Sequence, residues 1–258
     1  MTMELDLSGR RALVTGGGQG VGRGLVLGLA AAGAEVLVND VSADRAKAVV
    51  DEVGTLGGSA SPSVFDVTDF EAVTRAVEGT GRIDILVNNA GNAGVAGFRG
   101  RGPFVESGPA DWEPYIQVNL YGVLHCARAV LPAMIAEGWG RIITIVSDAG
   151  RAGDMFMAAY SAAKAGAAGL TRTLALETGR YGITANNISL GTMRTPATER
   201  VWDDPDNPQA KAILRNYVVR RVGLPDDVAA LTVFLASREA SWITGQTYPL
   251  NGGYTFAL

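Results

Sequence analysis

Between a short β-branched run, RALV, and a long Ala/Leu-rich stretch stands Thr15-Gly16-Gly17-Gly18-Gln19-Gly20-Val21-Gly22. That many glycines at one strand-to-helix junction restrict the fold more than any other feature of the chain. They let the backbone come close to a pyrophosphate, and the helix that follows aims its first amides and the positive end of its dipole at the same spot. A tight structural turn would spell the same letters, so the context has to decide. A strand precedes the turn, a helix follows it, and Asp40 ends the second strand about twenty residues on, the spacing of a dinucleotide-binding βαβ unit. On this reading Gly16, Gln19, Gly20, Val21 and Gly22 form the phosphate turn. Asp40 is placed to accept from the adenosine ribose hydroxyls and to repel a 2′-phosphate. Gln19 and Val41 are neutral where a basic residue could have met that phosphate, so the expected cofactor is NAD (NADH) rather than NADP. Arg23 falls inside the helix and reads as a structural charge.

The rest of the chain repeats the rhythm. The apolar runs RALVTG, EVLVND, SVFDVT, IDILVNNAG, RIITIVS, ITANNIS and GQTYPLNGG alternate with helical stretches at about 21–32, 44–56, 70–78, 112–137 and 158–180. These runs are apolar almost throughout, as parallel strands covered on both faces must be. The expected architecture is α/β, a single-domain Rossmann fold over 1–258 with a doubly wound parallel sheet and helices on both faces. Two stretches resist the alternation: a Gly-rich segment at about 92–110 carrying Arg99 and Arg101, and a polar one at about 192–222 with Pro196, Pro205 and Pro208. Loops of this length inside a compact domain are lids or disordered, and each follows a strand end, where open sheets place ligands.

Composition limits the partners. With 258 residues, 47% hydrophobic and 19% charged, the chain can bury a core of its own. A formal charge of -4 argues against nucleic acid or an anionic membrane surface as partner. Gly, charged or turn residues interrupt each apolar run short of the ~20 residues a bilayer needs, and MTMELDLSGRRALV lacks the pattern of a secretion signal. The one cysteine, Cys126, sits in an apolar run as a buried thiol would, which suits a reducing, cytoplasmic location. His125 is the only histidine; it reads as a packed side chain, and no metal is expected.

Tyr160 and Lys164, in YSAAK, share a helix face at a spacing of four. A free phenol, with a pKa of ~10, exchanges its proton poorly at neutral pH, and a fixed ammonium beside it favours the phenolate. Ser147 ends the strand RIITIVS and Asn119 lies in the preceding helix in QVNLYG, both able to converge on the C-terminal edge of the sheet.

Taken in order, TGGGQGVG, Asp40, FDVTD, NNAG, QVNLYG, Ser147, YSAAK and ITGQTYPLNGG resemble the short-chain dehydrogenase/reductase family over essentially the whole chain. Within it the chain resembles the 3-oxoacyl thioester reductases and the alicyclic or steroid-ring ketone reductases. The resemblance implies Tyr160 as catalytic acid/base, Lys164 as the group that lowers its pKa and holds the nicotinamide ribose, Ser147 on the substrate oxygen, and Asn119 in a water-linked proton relay. It also implies that Asp66 and Val67 contact adenine, that Asn88 to Gly91, including Asn89 and Ala90, line the adenosine side, and that Thr195 meets the carboxamide. The implied reaction is hydride transfer between NAD(H) and a secondary alcohol or ketone. Two positions depart from the family pattern: Leu190 stands where proline is common before Gly191, and Asn251 where an acid is common. A non-catalytic dinucleotide-binding regulator would not need the serine and tyrosine together, and a nucleotide-sugar epimerase or dehydratase would need a separate sugar lobe.

Two further expectations concern partners. Arg99, Arg101, Arg194, Arg200, Lys211, Arg215, Arg220 and Arg221 cluster in or beside the two long loops of an acidic chain. They either receive the phosphates of a CoA or acyl-carrier thioester or pair with Glu199, Asp203, Asp204 and Asp206. The helix from Ala158 to Leu170 is almost entirely Ala and Gly, and a helix apolar all round is normally buried all round, so a homo-oligomer, dimer or tetramer, is expected.

Overall fold

The computed structural model of the chain describes residues 5–91, 102–204 and 206–256. Strand β1 (Arg11–Val14) runs into the glycine turn and α1 (Gly20–Ala31). There follow β2 (Glu35–Asp40), α2 (Ala43–Thr55), β3 (Ser59–Val64), α3 (Phe70–Thr80) and β4 (Ile85–Asn88). The second half comprises α4 (Pro109–Ile116), a π turn at Gln117–Tyr121, α5 (Gly122–Glu137), β5 (Gly140–Ser147), α6 (Ala149–Ala152), α7 (Ala158–Thr178) and β6 (Ile183–Leu190). It closes with α8 (Glu199–Trp202), α9 (Pro208–Leu214), α10 (Pro225–Ala236) and β7 (Thr247–Leu250). The seven strands form one parallel sheet in the order β3-β2-β1-β4-β5-β6-β7. Strand order reverses between β1 and β4, and the crevice this leaves at the strands' C-terminal ends is where such sheets bind ligands.

Successive strand residues face opposite layers, which is why the runs are apolar throughout. Ala12, Val14, Val36, Val38, Ile143 and Ile188 pack under α1, α2 and α10, while Leu13, Leu37, Leu86 and Ile142 pack under α3, α5 and α7. Ser42 caps α2 through the Arg45 amide and Asp69 caps α3 through the Ala72 amide, setting where each helix starts.

Four elements differ from the sequence expectation. Strand β3 lies at Ser59–Val64, four residues ahead of SVFDVT; as an edge strand it can be built from small polar residues and can hold Pro62, so it lacks the apolar signal of the others. The second long loop is not structureless, because α8 and α9 lie within it, and α10 follows as a buried helix that the alternation did not reveal. The helix expected at 112–137 begins at Pro109 and is interrupted by the π turn. From Pro109 to Glu137 this stretch is long and apolar enough, by length and composition, to cross a membrane, the one such case among the described residues. Its Cys126, Val130 and Met134 are buried in the core, while Tyr121 and Ile135 stay exposed.

Candidate active site

The glycine turn is locked from both sides. The Gly17 amide donates to the Asn39 carbonyl at 2.7 Å, and the Thr15 hydroxyl accepts from the Asn89 and Ala90 amides at 3.0 and 3.1 Å. The Asn89 side chain returns two bonds, to the Thr15 and Gly16 carbonyls at 2.9 and 3.0 Å. The turn needs left-handed backbone at Gly16 (φ +62°), and a side chain at Gly22 would collide with the Gly16 carbonyl oxygen. Gln19 is the N-cap of α1 and makes no side-chain cap bond, so the first turn of the helix keeps its amides for an anion. Val21, partly buried in the first turn of α1, packs against the core under the sheet. This cradle of bare backbone at a helix N-terminus fits the pyrophosphate of a dinucleotide. Thr195 stands beside it, its methyl 3.4 Å from where a Gly20 side chain would begin.

Asp40 is buried at the end of β2. Its Oδ1 accepts from the Ser42 amide at 3.0 Å and from the Arg45 guanidinium at 2.5 Å, while Oδ2 overlies Gly18, 2.5 Å from the Cβ position there. Positions 19 and 41 are neutral, yet Arg45, in the first turn of α2, supplies a further cation there; its place five residues after Asp40 was the available signal. Arg23 is bound by Glu52 and serves structure. Asp66 is exposed and holds the Thr68 amide and hydroxyl, and Val67 is buried with its carbonyl 2.9 Å from His125 Nδ1. His125 also lies against the rings of Phe70 and Tyr121. No group of three metal-ligating side chains occurs among the described residues.

Across the crevice, the end of β5 presents Ser147, and one face of α7 presents Tyr160 and Lys164. The π turn carries Asn119, fully buried, whose amide donates to the Tyr115 carbonyl at 2.9 Å. Its Oδ1 lies 3.1 Å, and Lys164 Nζ 3.2 Å, from the Cβ position of Gly91, so two helices and the NNAG turn converge on one point. Ser147 hydrogen-bonds Tyr160. Lys164 is buried, donates to the Ile145 carbonyl at 2.8 Å, and is pulled down to about 8 by burial. Tyr160 runs against expectation: burial raises its pKa above the ordinary phenol value, and the Ser147 bond opposes that rise. The Lys164 ammonium, drawn toward the Ile145 carbonyl, stands 5.8 Å from the Tyr160 ring centre.

Both departures from the family pattern are explained locally. Asn251 Nδ2 donates to Asp148 Oδ2 at 2.6 Å, so the carboxylate of this network stands beside Ser147, and a second acid at 251 would face it. Asp148 also accepts from Ser189 and Arg151, and Arg151 reaches on to the Thr255 hydroxyl and the Phe256 carbonyl. Leu190 stays within β6, paired with Ser147 on one side and Leu250 on the other. Of the loop cations, Arg194 pairs with Asp203 at 2.7 Å, Lys211 with Asp206, and Arg221 with Asp227, while Arg220 donates to two carbonyls. Arg99 and Arg101 lie outside the described residues. Beside Tyr160 a pocket opens that no sequence pattern announced, lined by Phe104, Trp112, Tyr115, Phe156 and Met157 from three separate segments.

The family profile described as enoyl-(acyl carrier protein) reductase matches residues 16–255. The chain is 38% identical over 255 residues to the (2S)-[(R)-hydroxy(phenyl)methyl]succinyl-CoA dehydrogenase subunit BbsD of Thauera aromatica, covering 96% of this chain and 98% of that protein. The solved gluconate 5-dehydrogenase of Burkholderia cenocepacia, in complex with NADP and tartrate, superposes with a TM-score of 0.89 at 35% identity, covering 99% and 98% of the two chains. A 7α-hydroxysteroid dehydrogenase complexed with NADH and 7-oxo glycochenodeoxycholic acid gives 0.88 at 34% identity and 98% of each chain. A parallel sheet with a glycine cradle at its switch point, a serine, tyrosine and lysine at its C-terminal edge, and likeness to dehydrogenases over nearly the full length agree: the chain belongs to the short-chain dehydrogenase/reductase family, oxidoreductases that act on CH–OH groups with a nicotinamide dinucleotide.

Proposed function

We propose that the protein interconverts a secondary alcohol and its ketone using NAD(H), with Tyr160 as the proton donor and acceptor. The observation that carries this reading is the convergence of Asn119 Oδ1 and Lys164 Nζ on Gly91, with Ser147 bonded to Tyr160 at the same sheet edge. The dinucleotide, when bound, supplies or takes up the hydride. Gly16, Gln19, Gly20, Val21 and Gly22 hold its pyrophosphate, and Asp40 its adenosine ribose. Asp66 and Val67 lie on the adenine side, Asn89, Ala90 and Gly91 along the adenosine side, and Thr195 toward the carboxamide. The Ser147 hydroxyl, bonded to Tyr160, orients the substrate oxygen for proton exchange with the phenol and stabilises charge on that oxygen. Lys164 stands ready for the nicotinamide ribose, and Asn119 anchors a water chain leading the proton away.

NAD is favoured over NADP because the Asp40 Oδ2 overlies the turn and Arg45 is already neutralised by Oδ1. A carrier thioester's phosphates would fall to Arg99, Arg101, Arg200 and Arg215, since the other loop cations are engaged. We further propose a homo-oligomer working in the cytoplasm, where the buried Cys126 thiol stays reduced. The experiment is NADH and NADPH consumption over a ketone panel. Tyr160→Phe is expected to keep NADH binding and lose turnover by about 10²–10⁴-fold. Asp40→Ala, which releases Arg45, is expected to shift preference toward NADPH. Near-normal turnover in Tyr160→Phe contradicts the acid/base role, and equal use of NADPH by the unmodified protein contradicts the NAD assignment.

A further inference from the structure

Among the described residues, the wall of the pocket beside Tyr160 is mostly aromatic and apolar. Besides the Tyr115 and Tyr160 phenols, its wall holds two polar side chains, Ser107 and Asp111, each with a partner of its own. Ser107 Oγ accepts from Trp112 Nε1 at 2.8 Å and donates to the Phe104 carbonyl at 2.8 Å. Asp111 accepts from the Gly108 amide at 2.9 Å at the start of α4. A hydroxyl stripped of water needs a new partner or costs free energy, so each hydroxyl of a polyol laid against the apolar part of this wall would go unpaired.

Flat apolar surface is what the pocket does present. The rings of Phe104 and Trp112 stack with centres 5.3 Å apart and planes 17° apart, forming one continuous slab. Tyr115 meets Tyr160 edge-on at 6.0 Å, carrying the aromatic wall up to the phenol itself. The same lining includes Phe156, half exposed, with a left-handed backbone of φ +66°, the one non-glycine residue with positive φ among those described. An aromatic residue held in this conformation is strained, core packing does not explain one so exposed, and strain of this kind collects where a ligand is gripped.

We infer that the pocket takes a secondary alcohol or ketone borne on, or directly beside, a flat apolar ring, alicyclic or aromatic, and disfavours open-chain polyols. The inference rests on the oxidoreductase reading of Tyr160. Ring faces stack against the Phe104–Trp112 slab while the reacting oxygen reaches Ser147 and Tyr160.

The test is NAD-linked oxidation of 1-phenylethanol and cyclohexanol against gluconate, in the unmodified protein and in Phe156→Gly, with melting temperature and NADH binding measured on both. Ring alcohols are expected to exceed gluconate in kcat/KM by about tenfold or more, the scale of a good aromatic contact. Phe156→Gly, which suits a left-handed backbone, is expected to hold or raise the melting temperature and leave NADH binding intact, yet raise the ring alcohols' KM about tenfold. Gluconate used as well as or better than the ring alcohols, or an unchanged ring-alcohol KM in Phe156→Gly, overturns the substrate class alone. Failure to oxidise either class while NADH binds overturns the oxidoreductase reading and this inference with it.

Discussion

Lys164 gives up hydration for a single carbonyl, that of Ile145, and burial holds its pKa near 8 against an ordinary value of 10.5. Between those values the unfolded chain binds a proton that the folded chain does not, so stability rises with pH across that window, and below it the folded state bears the full cost. At ~1.4 kcal/mol per pH unit that cost is about 3 kcal/mol. Lys164→Met should therefore stabilise the protein at pH 7 by about 2 kcal/mol, after the loss of a hydrogen bond worth ~1 kcal/mol, while abolishing turnover. Urea unfolding at pH 7 and pH 9.5 checks this: the variant's advantage should shrink at the higher pH, and a gap that widens contradicts it. The types and spacing of the residues that meet at the sheet edge were legible in the sequence; their electrostatics were not. YSAAK shows that an ammonium stands near a phenol, but the Ile145 carbonyl that draws the ammonium aside comes from a strand nineteen residues upstream. Arg45 escaped notice because its partner Asp40 lies across a turn rather than along one face.

At the scale of elements, α1 packs on α10 through missing side chains. The Cβ position of Gly24 lies 2.5 Å from Pro225 Cβ and 3.2 Å from the Pro225 carbonyl carbon, and one turn on, that of Gly28 lies 2.8 Å from Ala229 Cβ. Gly24→Ala gains up to ~1 kcal/mol of helix propensity but forces α10 outward, which costs about 1–3 kcal/mol. The net expectation is a loss of about 1 kcal/mol and a melting temperature lower by about 2–4 °C, read by calorimetry; a rise would show that the helices part without strain. This contact also shows why the strands were easier to read than some helices. Parallel strands buried on both faces give unbroken apolar runs flanked by turns, so six of the seven were found close to where they lie. The edge strand β3 has only one neighbour and needs no such run. For α10 the run VAALTVFLA is apolar round most of its circumference because it is buried against both α1 and the sheet, so no stripe marks it. In QVNLYG nothing announces a π turn, since its extra residue depends on the Tyr115 carbonyl and the packing of Val67 against Gly122.

Over the whole molecule, the sheet divides the candidate site: its β1–β4 half holds the glycine turn and Asp40, and its β5–β7 half holds Ser147, with Tyr160 and Lys164 on the helix between β5 and β6. The helix expected to be buried all round is covered on one side only within a single chain. Ala162, Ala165, Thr173 and Leu176 of α7 remain exposed, and beside them lie Leu131, Ile135 and Tyr181. Light scattering at micromolar concentration should report a dimer or tetramer, and Leu176→Arg, at a residue 87% exposed in the lone chain, should yield a smaller species without loss of fold. A monomer in the unmodified protein contradicts the expectation. The clasp of Asn251 and Thr255 on Asp148 and Arg151 has a consequence in time. Asn251 is synthesised 103 residues after Asp148, an interval of about 5–20 s at ordinary rates of translation. Through that interval a nascent chain already has every residue of its glycine turn, whereas the strand end bearing Ser147 still lacks the amide that satisfies the carboxylate beside it. The clasp that braces this strand end is thus among the last contacts the emerging chain can make.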